Sequence, residues 1–296
     1  MTLPVPAKPT TFLITLLTTL LATLAMASTA FGTICYLPEN SNVSYSSILE
    51  LPVDSPAEVI SYGDDPLQFA ELWLPYNKSE ERKFPLLIFI HGGCWLNQFD
   101  IKHTHAFSTA LANAGYAVYS IEYRRTGDDG GGWPGSYADI RQAIQFAGTL
   151  TDYPLDLSQL IVAGHSAGGH LALLIGSDAE FAKESNITGV VGLAPIVDIE
   201  AYALGSNSCQ TATPQFMGAT PGELPDVYNA ANPARQTLHP ETMLLHGKLD
   251  SIVPLAQSQD SKSPLQQIDE AGHFDLIHPG TPAFQALLKY LAGAYQ

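Results

Sequence analysis

One segment constrains this chain more than any other: residues 164–169 read Gly-His-Ser-Ala-Gly-Gly, with Ser166 near the centre. The apolar residues 159–163 before it predict a short buried strand, and residues 169–175 after it predict a buried helix. A Gly-x-Ser-x-Gly turn between a strand and a helix is a nucleophile elbow, whose tight turn requires small neighbours and lifts the serine hydroxyl out of the sheet. The helix N-terminus beside it favours negative charge. We therefore expect Ser166 to act as a nucleophile.

The order of the remaining segments predicts an α/β fold. Two alternating segments, residues 58–62 and 68–74, predict a hairpin, and from residue 84 onward apolar strand segments alternate with helical ones. This alternation indicates a mostly parallel central sheet with helices on both faces. Residues 197–236 have no clear strand, and we expect them to form a small insertion over the active site. The chain has 296 residues, 46% of them hydrophobic, which suits a single domain over residues 31–296.

The first 30 residues have the composition of a secretory signal peptide. Lys8 precedes an apolar and hydroxylated run over residues 11–27, and small residues follow at two possible cleavage sites, after Ala27 and after Ala30. The alternative is an uncleaved membrane anchor, but the run is short and rich in threonine for a spanning helix. We expect a secreted or periplasmic protein with no stable membrane insertion after cleavage.

Charge and cysteine content narrow the partners and the compartment. The net charge of −16 repels phosphate backbones, so we expect no nucleic-acid partner. Three cysteines in an exported chain suggest one disulfide and one free thiol. Because Cys94 lies within a motif that we assign to catalysis, we expect Cys35 to pair with Cys209; the alternative is three unpaired cysteines. No metal-ligand spacing is present in the sequence, and we expect neither a metal nor an organic cofactor.

A serine nucleophile needs a base and an orienting acid, which in this kind of fold follow in the order acid, then histidine. His273 follows the last predicted strand, where a loop can bring its imidazole to Ser166, and Asp250 follows the strand before it. We predict His273 as the base and Asp250 as the acid. The other histidines after Ser166 are His170, His239, His246 and His278, of which His170 lies in the helix after the serine and points away from a base position. Three rival acids are more simply solvated loop charges or helix caps: Asp198, Glu270 and Asp275.

The developing oxyanion needs backbone N–H donors from the residue after the nucleophile and from an early strand-to-helix loop. The first is Ala167. Residues 91–95, His-Gly-Gly-Cys-Trp, follow a buried strand, and we expect Gly93 and Cys94 to donate while His91 hydrogen-bonds within the loop. Three aromatic residues are candidates for a substrate pocket, although core packing explains each equally well: Trp95, Trp133 and Phe216.

Together these motifs resemble the α/β-hydrolase superfamily, and more narrowly its esterase and lipase branch with a His-Gly-Gly-x-Trp oxyanion motif, which includes kynurenine formamidase and feruloyl-esterase-like proteins. The matching segments are residues 91–95, 123–125, 133–134, 163–171, 246–250 and 272–274. Cysteine at position 94 departs from the aromatic residue or glycine that such families often hold there, which changes the shape of the pocket but not its backbone donors.

The resemblance implies a serine hydrolase that cleaves a small carboxylic ester through an acyl-enzyme, and the predicted leader implies that it is exported. An arylformamidase or small amidase with the same triad is the alternative, and export argues against the cytoplasmic kynurenine formamidase role. A non-catalytic binding protein of this fold is the more distant alternative, since such relatives typically lose a triad member. The sequence leaves the oligomeric state, the acyl chain and the alcohol half open.

Overall fold

The computed structural model describes residues 1–2, 33–39, 42–76 and 83–295. The predicted leader, residues 1–30, lies outside the described residues except for its first two, and the folded unit begins at Thr33. No helix in these described stretches combines the length and the apolar character needed to cross a bilayer.

Eight strands form one sheet in the order β1-β2-β4-β3-β5-β6-β7-β8. β2 pairs antiparallel with β1 and β4, and every other pair is parallel, which confirms the predicted hairpin and the mostly parallel sheet. The strands are β1 (Glu58–Ser61), β2 (Phe69–Trp73), β3 (Phe84–Ile90), β4 (Ala117–Ile121), β5 (Leu155–His165), β6 (Ile187–Leu193), β7 (Thr242–Gly247) and β8 (Leu265–Ile268).

The described helices connect these strands or precede them. They are α1 (Tyr45–Leu49), α2 (His105–Asn113), α3 (Gly135–Ala147), α4 (Ala167–Ser177), α5 (Ala179–Glu184), α6 (Ile199–Tyr202), α7 (Ser208–Met217), α8 (Pro225–Ala230), α9 (Ala256–Gln259) and α10 (Pro282–Ala294). Short 3-10 turns cover Ile101–Thr104, Pro233–Arg235 and Phe274–Ile277.

The central strands are apolar throughout because both faces of the sheet are covered. In β3, Leu86, Ile88 and Ile90 belong to one buried cluster, while Leu87 and Phe89 belong to the cluster on the other face. Successive side chains of a strand point to opposite faces, so a strand buried on both sides has an apolar residue at each position. Helices α3 and α4 contribute to the first cluster, and α2 and α10 to the second.

The parallel register brings the carboxyl ends of five strands to one edge of the sheet. Ile90 of β3 lies opposite Gly164 of β5, His165 lies opposite Leu193 of β6, and Leu193 lies opposite Leu245 of β7. In open α/β sheets, ligands bind outside the carboxyl ends of the strands. Gly247 of β7 lies opposite Ile268 of β8, so the loops after β3, β5, β7 and β8 start at the same edge, where the sequence places its candidate site.

The segment between β6 and β7 is the predicted insertion, and it consists of the short helices α6, α7 and α8. A capping box starts α7, in which Asn207 accepts from the Gln210 N–H and the Gln210 side chain accepts from the Asn207 N–H. The hydroxyl of Tyr202 and the amide nitrogen of Asn207 both donate to the carbonyl of Ile252. These bonds fix the insertion to the loop that follows β7.

Candidate active site

Ser166 occupies a strained turn between β5 and α4. Its φ of 56° and ψ of −117° lie in a backbone region that residues other than glycine rarely adopt. A Cβ added at Gly164 would meet the backbone of Gly168, and one added at Gly168 would meet the carbonyl oxygen of Ile90. Only glycine fits at these two positions, so the Gly-x-Ser-x-Gly spacing is a requirement of local packing.

Ser166 and His273 line the same cavity, which has a volume of about 260 Å³. Its other walls come from the loop after β3, the start of α7, the loop after β7, the turn after His273, and α1. Helix α1 belongs to the segment before β1, residues 42–57, which we call the N-terminal arm. These lining residues are Tyr45, Gly93, Cys94, Leu96, Gln98, Phe99, His103, His165, Ser208, Cys209, Ile252 and Phe274. The walls are largely apolar, and a small apolar group suits both their chemistry and the volume.

Asp250 and His273 form the hydrogen bond that the sequence predicts. The Nδ1 of His273 lies 2.6 Å from Oδ2 of Asp250, whose side chain is fully buried. The other carboxylate oxygen accepts from the N–H groups of Ile252, at 2.8 Å, and Val253, at 2.9 Å. His246 also contacts this carboxylate, with its Nε2 3.3 Å from Oδ2 of Asp250.

These contacts keep Asp250 ionised. Burial by itself raises the pKa of the Asp250 carboxyl, but the charge of His273 and the hydrogen bonds from His246 and His273 outweigh burial and leave that pKa well below its ordinary value. An ionised Asp250 accepts the Nδ1–H of His273, which leaves the Nε2 lone pair of His273 free to take a proton.

The loop that carries His273 is held on both sides. His165, buried next to Ser166, lies with its Nε2 3.0 Å from the backbone carbonyl of His273. Asp275 accepts from the N–H of Gly272 and from the N–H groups of Asn42 and Val43 in the N-terminal arm. Asp275 is therefore a structural carboxylate.

Two other acids considered from the sequence have positions away from the imidazole. Asp198 caps α6 by accepting from the Ala201 N–H, and Glu270 is exposed in the turn after β8.

His165 and His103 are two cavity residues to which the sequence reasoning gave no role. Burial lowers the pKa of His165 well below its ordinary value, and it lowers the pKa of His103 to about 3. Both imidazoles are therefore neutral at physiological pH. His165 fills the variable position before Ser166 in the Gly-x-Ser-x-Gly pattern, and this position was the only sequence signal that could have singled it out. His103 follows no strand and carries no such signal.

The loop after β3 has the backbone shape of an oxyanion site. Gly93, Cys94 and Trp95 all have positive φ, at 106°, 55° and 57°. Among the described residues, the N–H groups of Gly93, Cys94 and Ala167 find no protein acceptor. Ala167 is the first residue of α4, where a helix leaves its N–H groups unpaired. Gly93 and Cys94 line the cavity together with Ser166, and Ala167 directly follows Ser166 in the chain.

Buried polar contacts support this loop from below. The His91 Nε2 lies 3.0 Å from Glu122, and the hydroxyl of Tyr123 donates to the carbonyl of His91. Glu122 also accepts from the N–H of Ile101 at 2.9 Å. His91 is thus a structural residue, as its position in the motif suggested. His170, in α4, is also structural, with its Nε2 2.7 Å from the carbonyl of Ala231.

The predicted disulfide between Cys35 and Cys209 is wrong. Cys209 is bonded to Cys94, and Cys35 is an exposed free thiol. The sequence argument excluded Cys94 because it lies in the expected oxyanion loop, yet the role expected there needs only the backbone N–H and leaves the sulfur available. The bond closes a separation of 115 residues, which in the chain-entropy model corresponds to about 5 kcal/mol of stabilisation.

The three aromatic candidates do not line the serine cavity. Trp95 and Phe216 are fully buried and stack on each other, with ring centroids 4.7 Å apart and planes 11° apart. Trp133 lies beside Tyr137 in a separate cavity near α3 and α4. The alternative of core packing is therefore the correct one for Trp95 and Phe216. Tyr45, Phe99 and Phe274 supply the aromatic wall instead.

Within the described part of the chain, no group of three or more histidine, cysteine, aspartate or glutamate side chains has the arrangement of a metal site. The site described above consists of a serine, an imidazole–carboxylate pair and backbone donors.

Comparison with known proteins places this geometry in a family. The BD-FAE family model matches residues 71–265. Esterase LipC of Mycobacterium tuberculosis is 27% identical over 237 residues, which cover 75% of this chain and 58% of LipC. Esterase LipQ of the same organism is 25% identical over 213 residues, covering 68% of this chain and 50% of LipQ. This chain thus spans little more than half the length of these relatives.

Solved structures share the fold. Esterase B from Lactobacillus Rhamnosis (HN001) superposes with a TM-score of 0.69 at 22% identity, covering 84% of this chain and 89% of that one. A truncated carbohydrate esterase from gut microbiota has a TM-score of 0.69 at 21% identity, covering 81% and 99% of the two chains. The expected α/β-hydrolase fold is confirmed.

Proposed function

The chain belongs to the BD-FAE family, and from that premise we propose that it is a carboxylic ester hydrolase with Ser166 as nucleophile, His273 as base and Asp250 as orienting acid. The observation that carries the proposal is the 2.6 Å contact between Asp250 and His273 at the cavity that Ser166 also lines. The relatives named above as esterases support ester cleavage as the reaction. Small neutral esters suit the apolar cavity and its volume.

In the proposed mechanism, His273 Nε2 removes the proton from the Ser166 hydroxyl as the oxygen attacks the ester carbonyl. The N–H groups of Gly93, Cys94 and Ala167 stabilise the negative charge on the carbonyl oxygen of the tetrahedral intermediate. His273 then returns its proton to the departing alcohol, and an acyl group remains on Ser166. Water, deprotonated by His273, attacks this acyl-enzyme and releases the acid and the free serine.

The nucleophile is tested by the Ser166→Ala variant and by covalent labelling. Ser166→Ala should hydrolyse p-nitrophenyl acetate only at the residual level, roughly 10³–10⁴ over water, that triad enzymes keep without one member. An aryl phosphonate should add a single adduct to the wild type, at Ser166 by peptide mass mapping, and none to the variant. Near-normal turnover by Ser166→Ala, or an adduct on another serine, contradicts the assignment.

The reaction class is tested by comparing substrates on one preparation. We expect hydrolysis of p-nitrophenyl esters with acyl chains of two to four carbons to exceed that of N-formylkynurenine. Turnover of the formamide that exceeds every ester would instead favour the arylformamidase alternative. A wild type that cleaves neither, and takes no phosphonate, would favour a binding protein.

We also propose that the protein is exported. The buried Cys94–Cys209 disulfide fits an oxidising compartment, where such bonds persist, and the composition of residues 1–30 fits a cleavable leader. Intact mass of the protein recovered outside the cytoplasm should correspond to a chain that starts after Ala27 or Ala30. A mass that retains Met1 in a membrane fraction contradicts this proposal in favour of an anchor.

A further inference from the structure

A disulfide joins the proposed oxyanion loop to the insertion, and it does so at the wall of the serine cavity. Cys94 is the second of the three consecutive residues with positive φ, and its N–H is one of the proposed donors. Its sulfur is bonded to Cys209 near the start of α7, and both cysteines line the cavity together with Ser166. One residue therefore combines a proposed catalytic backbone group with a covalent link to another element.

One further contact joins the same two elements, and two hydrogen bonds hold α7 to other segments. One residue along the loop, Trp95 stacks on Phe216, which lies seven residues after Cys209 and so on the same face of α7. The N–H of Trp133 donates to the carbonyl of Phe216 at 2.8 Å. The N-terminus of α7 is fixed in turn, because Asn207 donates to the carbonyl of Ile252. These contacts hold α7 in place, and the disulfide and the aromatic stack tie the loop after β3 to it.

The disulfide matters for the backbone conformation of residue 94. Cys94 has φ of 55°, a conformation that is unfavourable for any residue with a Cβ and that persists only when the surroundings enforce it. Gly93 adopts φ of 106° without this steric cost because it has no Cβ, whereas residue 94 is a cysteine and has one. Without the bond to α7, no covalent link keeps residue 94 at positive φ, and a return to negative φ would reorient its N–H.

We propose that the Cys94–Cys209 disulfide is a positioning element of the oxyanion site, so that ester hydrolysis depends on its oxidised state. This inference rests on the proposed esterase function. Reduction by a dithiol proceeds when one thiolate attacks a sulfur of the bond and releases the other cysteine as a thiolate that takes up a proton. The second thiol of the reagent then closes its own ring and releases the first cysteine. The reagent gives up two electrons, and two cysteine thiols result.

The experiment compares tether variants with a cysteine control. Cys209→Ser removes the bond without altering residue 94, Cys94→Ser keeps the backbone N–H at that position, and Cys35→Ser removes only the exposed thiol. Each is assayed with p-nitrophenyl butyrate, together with wild type before and after dithiothreitol. Mass spectrometry counts free thiols, and circular dichroism at the assay temperature checks that each protein is folded.

We expect Cys209→Ser, Cys94→Ser and the reduced wild type each to lose about 10- to 100-fold in kcat, with KM changed less than threefold. Loss of one oxyanion donor outright costs roughly 10²–10³ in kcat, and a donor that is loosened costs less. Cys35→Ser should match wild type. Phosphonate labelling of Ser166, which needs the same donors, should slow in parallel with kcat.

The inference is overturned if folded Cys209→Ser keeps kcat within twofold of wild type. It is also overturned if kcat falls only in proportion to the folded fraction, because the bond is then purely structural. Failure of the proposed function has a different signature, since the oxidised wild type would then hydrolyse no ester, and that result would overturn both.

Discussion

The exchange of Asp250 for asparagine tests the imidazole–carboxylate pair most sharply, because the structure dictates how the amide must sit. One carboxylate oxygen of Asp250 accepts from the N–H groups of Ile252 and Val253, and the other faces His273 and His246. Asparagine has a single oxygen. If that oxygen stays with the two backbone donors, the NH₂ group faces Nδ1 of His273, which must then be an acceptor.

That orientation places the imidazole proton on Nε2, the nitrogen that has to remove the serine proton. The opposite orientation keeps the working tautomer but leaves two buried N–H groups facing an NH₂ group. Each unsatisfied donor costs about 1–3 kcal/mol, so the working arrangement is disfavoured by roughly 2–6 kcal/mol. At about 1.4 kcal/mol for each factor of ten, kcat should fall between roughly 30-fold and 10⁴-fold.

Asp275→Asn is the matched control. Asp275 is fully buried, like the side chain of Asp250, and accepts three backbone N–H bonds, but it makes no hydrogen bond to the imidazole among the described residues. Both variants should lower the midpoint of thermal unfolding, whereas only Asp250→Asn should lower kcat for p-nitrophenyl acetate by more than about tenfold. A large loss of kcat in Asp275→Asn together with a small loss in Asp250→Asn would refute the assignment of Asp250 as the acid.

The double variant extends the same test to the base. Residues that act as one unit are strongly non-additive, so Asp250→Asn combined with His273→Ala should be little worse than His273→Ala alone. Independent losses that multiply would show that Asp250 contributes by some route other than the imidazole.

Two further predictions concern stability. Gly168→Ala should prevent folding or strongly lower the midpoint of thermal unfolding, because its Cβ would overlap the carbonyl oxygens of Ile90 and His91. Gly293→Ala, in an open position of α10, should instead stabilise the protein by about 0.5–1 kcal/mol. Thermal unfolding that ranks the two variants the other way would contradict the packing argument. Burial lowers the pKa of His170 to about 4, so between that pH and about 6.5 the unfolded chain binds more protons than the folded protein. The contribution of this residue to the free energy of unfolding should therefore fall by about 2 kcal/mol from pH 7 to pH 5. Urea titrations should show a shallower pH dependence of that free energy in His170→Gln than in wild type, and identical slopes would refute the assignment.

The fold was predictable because its determinants are local and repetitive. A strand buried on both faces must be apolar at every position, which is why residues 84–90 were recognised as β3 from the sequence. The same holds for Asp250 and His273, because each follows the carboxyl end of a predicted strand and parallel strands bring those ends together. The elbow was the strongest signal, since the backbone clashes at Gly164 and Gly168 permit no other residue.

The disulfide and the pocket walls were not predictable in this way, because both depend on where the insertion packs. Nothing local to Cys209 specifies that α7 lies against the loop after β3, and nothing local to Phe216 specifies that it meets Trp95. The wall residues Tyr45 and Phe274 come from the N-terminal arm and from the turn after His273, two segments brought together in space by tertiary packing.

The error over Cys94 has a general physical cause. The sequence argument gave the whole residue to catalysis, whereas an oxyanion site uses only the backbone N–H, and with φ of 55° the Cβ and the N–H of residue 94 serve different neighbours. Trp95 repeats the pattern, with a backbone that extends the turn and a ring stacked in the core. In a loop whose chemistry is carried by its backbone, the side chains are free to hold the loop in place. The residue types in such a motif therefore report what anchors the loop as much as what reacts in it.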